Sequence, residues 1–199
     1  MKIRGNHLLR MLDRFLGPCI LVLTRFFPIA RKRIHPRRRI LVLTNSAMGD
    51  AVVFSGVLRE AMQHLATAEW YVAASPLVHD VLGLTGLHYA AVDLDFAKLP
   101  RTLHRIRQIK ADTVIDIGQW SRISAILARC SGAAERIGFT RKWQGRRAGF
   151  TTRVQHRSDC HEIDNFFALF SALSPSAGFK RADCFPRITL PPDNCPSLP

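Results

Sequence analysis

The run Ile40-Leu41-Val42-Leu43-Thr44 carries no polar residue at alternate positions. A strand with one wet face alternates apolar and polar side chains, whereas a continuous β-branched and aliphatic run marks a strand covered on both faces. Such a strand needs one layer above it and another below, so the chain is restricted to a sheet with helices on both sides. The next residues agree. Asn45-Ser46-Ala47-Met48-Gly49 is a small-residue turn, and Asp50 opens a helical pattern with Val52, Val53, Val57, Leu58, Met62 and Leu65 on one apolar side.

The same unit recurs along the chain. Residues 70–74, 89–93, 113–117 and 135–139 read as strands, and 150–154 as a further short one. Between them, 76–84, 97–109 and 121–130 read as helices, and 161–173 forms a last one with Ile163, Phe166, Phe167, Leu169 and Phe170 mostly on one side. Residues 140–149 read as a basic loop. Strands alternating with helices imply right-handed β-α-β units and hence an α/β fold, a doubly wound, Rossmann-like parallel sheet. The expected organisation is a leader at 1–38, one sheet domain at 39–180 and a Pro-rich linker or tail at 181–199.

Charge separates the leader from the body. The chain has a formal net charge of +14, yet residues 1–39 hold eleven Lys/Arg and a single acid, Asp13. The leader also contains the apolar run at 15–24, followed by Phe26, Phe27 and Ile29. About 20 apolar residues are needed to span a bilayer, so this run is too short. Basic residues precede it as in a signal peptide, but no small-x-small cleavage site follows. Apolar burial combined with basic side chains suits an anionic membrane surface, with the chain peripheral on the cytoplasmic face. Docking of the leader against a further domain, or an uncleaved anchor or signal, is the alternative. A phosphate-contacting nucleic-acid arm is disfavoured, because no helix-turn-helix or RNA-binding signature accompanies the charge. Five scattered cysteines form no CxxC pair and no zinc spacing, as expected of reduced thiols in the cytoplasm.

The turn after the first strand is the best-placed chemistry, because ligands of doubly wound sheets bind at the carboxyl ends of the strands. It holds neither GxGxxG nor a GK[ST] ending, so no dinucleotide or triphosphate cradle is indicated. What it offers is Asp50 at a helix start. That carboxylate either caps the helix or acts as a general base on an attacking hydroxyl.

Four segments in order carry a resemblance. Residues 39–53 (RILVLTNSAMGDAVV), 111–119 (ADTVIDIGQ), 136–139 (RIGF) and 161–166 (HEIDNF) are similar to the opening strand and Gly-Asp turn, the "DLVIDLQG" strand, the "RIGF" strand and the "H-x-x-D-x-aromatic" helix start of glycosyltransferase family 9. These are the lipopolysaccharide heptosyltransferases. Leu12-Asp13-Arg14-Phe15-Leu16-Gly17 is also similar to leaders on some members.

The resemblance implies the N-terminal half of a two-domain GT-B glycosyltransferase. It implies transfer of a sugar, typically heptose from ADP-heptose, onto the lipopolysaccharide core or a similar glycolipid acceptor. The displacement inverts the anomeric centre and uses neither a metal nor any other cofactor, the nucleotide sugar being a substrate. By carry-over Asp50 is the base, Asn45, Ser46 and Gly49 line the cleft beside it, and Gln119 faces the cleft from the fourth-strand turn. Arg122, Arg141 and Lys142 are candidates for an acidic acceptor. His161 and Asp164 are expected to be structural. The donor-binding second domain is expected on a further or separate segment. A non-catalytic, membrane-associated remnant or partner of the same fold is the alternative function.

Overall fold

The computed structural model describes residues 17, 19–21, 38–45, 47–141, 144–174 and 178–188. Most of the leader, the tail beyond 188 and two candidate site residues, Ser46 and Lys142, therefore lie outside the described residues.

The fold is a six-stranded, all-parallel sheet with the order β3-β2-β1-β4-β5-β6. Its strands are β1 (Arg39–Leu43), β2 (Glu69–Ala74), β3 (Ala90–Asp93), β4 (Thr113–Asp116), β5 (Glu135–Thr140) and β6 (Thr152–Gln155). The helices are α1 (Met48–His64), α2 (Pro76–Gly83), α3 (Leu99–Ile109), α4 (Arg122–Cys130) and α5 (Glu162–Ser171). β1 pairs with β2 in the register Leu43↔Ala73 and with β4 in the register Leu43↔Asp116. Succession runs outward from β1 to β3 and then, from β4, outward the other way to β6. The order thus reverses between β1 and β4, the topological switch point of a doubly wound sheet.

Two cores lie on the two faces. Ile40, Val42, Val72, Ile115 and Ile137 point into one, which also takes Phe54, Val57, Leu58, Leu82, Phe166 and Phe170. Leu41, Leu43, Ala73 and Val114 point into the other, with Ile106, Ala125, Leu127, Ala128 and Phe150. This alternation within one apolar run is the two-sided burial that the sequence requires of β1, whose residues 40–43 are fully buried. Helices α1 and α5 meet through Phe54, which stands edge-on to Phe166 at 6.3 Å and stacks with Phe170 at 6.5 Å. Each fully buried Phe contributes about 1.5–3 kcal/mol.

Three local expectations are revised. Helix α1 begins at Met48, two residues before Asp50; its N-cap is Ala47, in extended conformation and without a side-chain cap. The stretch expected to be a plain loop contains a 3-10 turn at Arg146–Gly149, and Arg146 is fully buried. The last strand is Thr152–Gln155 rather than 150–154. Phe150 is used differently: its ring packs where a Cβ on Gly138 of β5 would stand, 2.3 Å from ring atoms, so the ladder starts only at the Ile137↔Thr152 pair.

Candidate functional site

The two turns that flank the switch point bring Asn45, Gly49, Asp50, Gln119 and Arg122 to one end of the sheet, and Arg141 follows the end of β5. Thr44, fully buried, donates its backbone N–H to Ala73 O at 2.9 Å and ends the ladder of β1. Asn45 and Gly49 follow, both exposed, and a Cβ on Gly49 would meet nothing within 4 Å. Asp50 stands third in α1, half-buried. Its carboxylate makes no hydrogen bond or ion pair with any described residue. It is therefore not the helix cap, although it remains in the first turn, where the helix dipole favours a negative charge.

Past β4, Ile117 donates its N–H to Leu43 O at 3.1 Å, tying this second turn to the end of β1. Asp116 is fully buried and ion-paired to Arg146 at 2.6 Å, and it accepts hydrogen bonds from Ser124 Oγ at 2.7 Å and the Gly118 amide at 2.9 Å. Arg146 also donates to Gly118 O and lies over the Phe150 ring at 5.3 Å. Burial pushes the Asp116 carboxyl above its ordinary range, and Arg146, Ser124 and Gly118 pull it back. The cluster is a rivet: it fixes the 118–121 turn and the start of α4 to the sheet.

On that rivet stand Gln119 and Arg122, both half-buried, and Trp120, which is 63% exposed. Gln119 Nε2 donates to Glu162 Oε2 at 2.9 Å, and His156 Nε2 lies 3.2 Å from both Glu162 oxygens. Arg141 lies over Trp120 at 5.0 Å, a cation–π contact. An open cavity of about 1170 Å³ adjoins this group beyond the ends of β5 and β6; Arg141, Arg147, Arg153 and Arg157 line it, with Asp159 as its single acid. Such a lining suits a ligand carrying several negative charges.

The structure thus gathers Gln119 and Arg141 through their neighbours Glu162 and Trp120, and sets Asn45, Gly49 and Asp50 on the adjoining turn. Arg122 opens α4, with Ser121 Oγ as its cap, accepting from the Ser124 amide at 3.2 Å. His161 and Asp164, expected to be structural, both make local contacts at the start of α5. His161 Nδ1 caps α5 by accepting from the Ile163 amide at 3.2 Å, and Asp164 pairs with Arg181 at 2.5 Å. That hydrogen bond, with Arg181's charge, holds the Asp164 carboxyl below the ordinary range. Among the described residues, no three His, Cys, Asp or Glu side chains converge as metal ligands, and no helix is long and apolar enough to cross a membrane.

Sequence reasoning missed Asp116, Arg146, Glu162, His156 and Trp120. A signal existed for the first of them: an acid ending a strand that is otherwise apolar demands a buried cation. Nothing in the sequence spacing identified Arg146, 30 residues on, as that cation.

The fold is a doubly wound, Rossmann-like α/β sheet of the kind found in one half of solved glycosyltransferase structures. The solved structures it resembles include heptosyltransferases and a family 9 glycosyl transferase. E. coli ADP-heptose lipopolysaccharide heptosyltransferase II matches with a TM-score of 0.64 and 16% identity, over 77% of this chain and 47% of that one. A family 9 glycosyl transferase from Veillonella parvula matches at 0.60 and 15% identity, over 83% and 47%. E. coli heptosyltransferase WaaC with ADP-2-deoxy-2-fluoro heptose matches at 0.55 and 15%, over 72% and 49%. The chain spans about half the length of these solved structures. At such identities the likeness is one of fold. No family model and no curated protein matches the sequence.

Proposed function

We propose that this chain is the N-terminal, acceptor-side half of a family 9 glycosyltransferase of the heptosyltransferase type. It transfers a sugar, heptose from ADP-heptose, to the lipopolysaccharide core or a similar anionic glycolipid. A further donor-binding domain, on the same or a separate chain, holds the nucleotide, and the basic leader keeps the enzyme on the inner face of the cytoplasmic membrane. The observation that carries the reading is the placement of Asp50. It follows the carboxyl end of β1 at the switch point, half exposed and without a partner among the described residues. A carboxylate committed to a cap or an ion pair is a poor base; this one is available.

In the proposed reaction the acceptor hydroxyl oxygen attacks the anomeric carbon while its proton passes to the Asp50 carboxylate. The bond from that carbon to the diphosphate oxygen breaks, and the nucleoside diphosphate leaves with the electron pair. One displacement inverts the centre, and no metal takes part. Arg122 and Arg141 meet the negative charge of the acceptor, while Asn45, Ser46, Gly49 and Gln119 line its path.

The test supplies a family C-terminal domain, co-expressed or fused, and assays transfer from ADP-heptose to a lipopolysaccharide-core acceptor. Asp50→Asn should fall by about 10²–10⁴-fold while its fold is kept. Equal rates in both proteins would remove Asp50 from the chemistry. Silence in both, beside an active matched control, would favour a non-catalytic partner of the same fold.

A further inference from the structure

The two faces of the sheet are covered by different elements. One face carries α1, α2 and α5, whereas α3, α4 and two 3-10 turns, Phe96–Lys98 and Arg146–Gly149, serve the other. Leu21, from the leader, lies in this second core with Leu41, Leu43, Ala73, Leu94, Ile106 and Ala125, and it is 0% exposed. Gly17, also buried, lies against the first residue of α4: a Cβ there would stand 2.8 Å from Arg122 Cβ and 2.9 Å from its Cδ. Between these two contacts Cys19 is exposed and Ile20 is 41% exposed.

We infer that the leader acts as an intramolecular strap at two described residues: Leu21 completes the second core, and Gly17 packs against the side chain of Arg122, the residue that opens α4 and that the proposed function assigns to the acceptor. A membrane-bound arm would offer its large apolar side chains to lipid. Leu21 cannot do so, because a side chain already removed from water and enclosed by the core has nothing to gain from a bilayer. The side available to a lipid surface is the outer one, carrying Ile20. The absence of a side chain at residue 17 follows from the same geometry. The atoms a Cβ would strike include the root of the Arg122 side chain, which cannot swing away without moving the start of α4. The strap therefore links the leader to a residue beside the switch point. Its packing stands on the described contacts alone; only the significance of Arg122 rests on the reading of the acceptor site.

The experiment is hydrogen exchange on the full chain, following amides 126–128, which bond back to the first turn of α4. Leu21→Asp and Gly17→Val should each speed exchange there by about tenfold or more. Ile20→Asp, the same charge placed on the outward side, should leave it unchanged. Adding phosphatidylglycerol vesicles to the wild type should also leave these amides protected. If Leu21→Asp and Gly17→Val both exchange like the wild type, the strap is refuted. It is equally refuted if vesicles release these amides as fully as Leu21→Asp does, since Leu21 would then belong to lipid. Neither result depends on sugar transfer, so loss of the catalytic reading would leave the strap standing, and the reverse also holds.

Discussion

At the scale of single residues, the Asp116–Arg146 pair shows how a buried charge is made tolerable. Both side chains are essentially inaccessible, and the carboxylate gains Ser124 and Gly118 as further donors. Removing one partner strands the other: Arg146→Met should cost about 3–5 kcal/mol near neutral pH. The sign of its pH dependence follows from linkage. With its cation gone, the Asp116 pKa rises further above the unfolded value, so the native state binds a proton that the unfolded chain releases. Stability of the variant should then fall as pH rises through that interval and recover on acidification. Urea unfolding at pH 5 and pH 7.5 measures both effects; a gap from wild type that is the same at the two values would contradict the argument.

Asp164 has the opposite sign. Arg181 holds its carboxyl low, so the pair supports folding above the ordinary carboxylate range and loses that support as pH falls. Both partners are about 40% exposed, so solvent screening keeps the contribution small. The titration itself is the better readout. In Arg181→Gln the Asp164 midpoint, followed by NMR, should move upward toward the usual value.

Among the elements, helix α1 illustrates where local propensity is overruled. Gly56 lies in its interior, and replacing such a glycine by alanine ordinarily stabilises a helix by about 1 kcal/mol. Here a Cβ would stand 2.1 Å from Cys184 O and 2.6 Å from the Phe185 carbonyl carbon. The segment carrying Cys184, which is fully buried, lies directly on the helix, and its thiol is pushed up to about 11 chiefly by burial. Gly56→Ala should therefore destabilise, by about 1–3 kcal/mol as overpacking does. Chemical denaturation checks the sign, and a stabilised variant would mean that this segment packs elsewhere.

The same element marks what the sequence makes legible. The apolar run of β1 and the turns that follow it are local signals, and from them the doubly wound sheet and the position of Asp50 could be read. The start of α1 was misplaced because Ala47 caps it through backbone conformation alone, leaving no capping side chain to read. The Arg146 turn, the late start of β6 and the docking of Leu21 depend on partners 12 or more residues away: Asp116, Gly138 and the second core. No periodicity within a segment encodes such pairings.

For the whole molecule, charge and burial of the leader have to be satisfied together. Residues 1–39 hold eleven of the 29 Lys/Arg and one acid, so most of the net positive charge is concentrated in the leader sequence. With Leu21 committed to the core, the apolar surface left for lipid shrinks, and attraction to anionic headgroups has to supply most of the binding. Each basic residue near such a surface contributes about 1 kcal/mol, and the field decays within about 10 Å at 0.1 M salt. Sedimentation with phosphatidylglycerol-containing vesicles should accordingly show binding at 50 mM salt that is largely lost by 500 mM, and none to phosphatidylcholine alone. Binding that survives high salt would instead mean that the apolar run at 15–24 inserts, which requires Leu21 to leave the core.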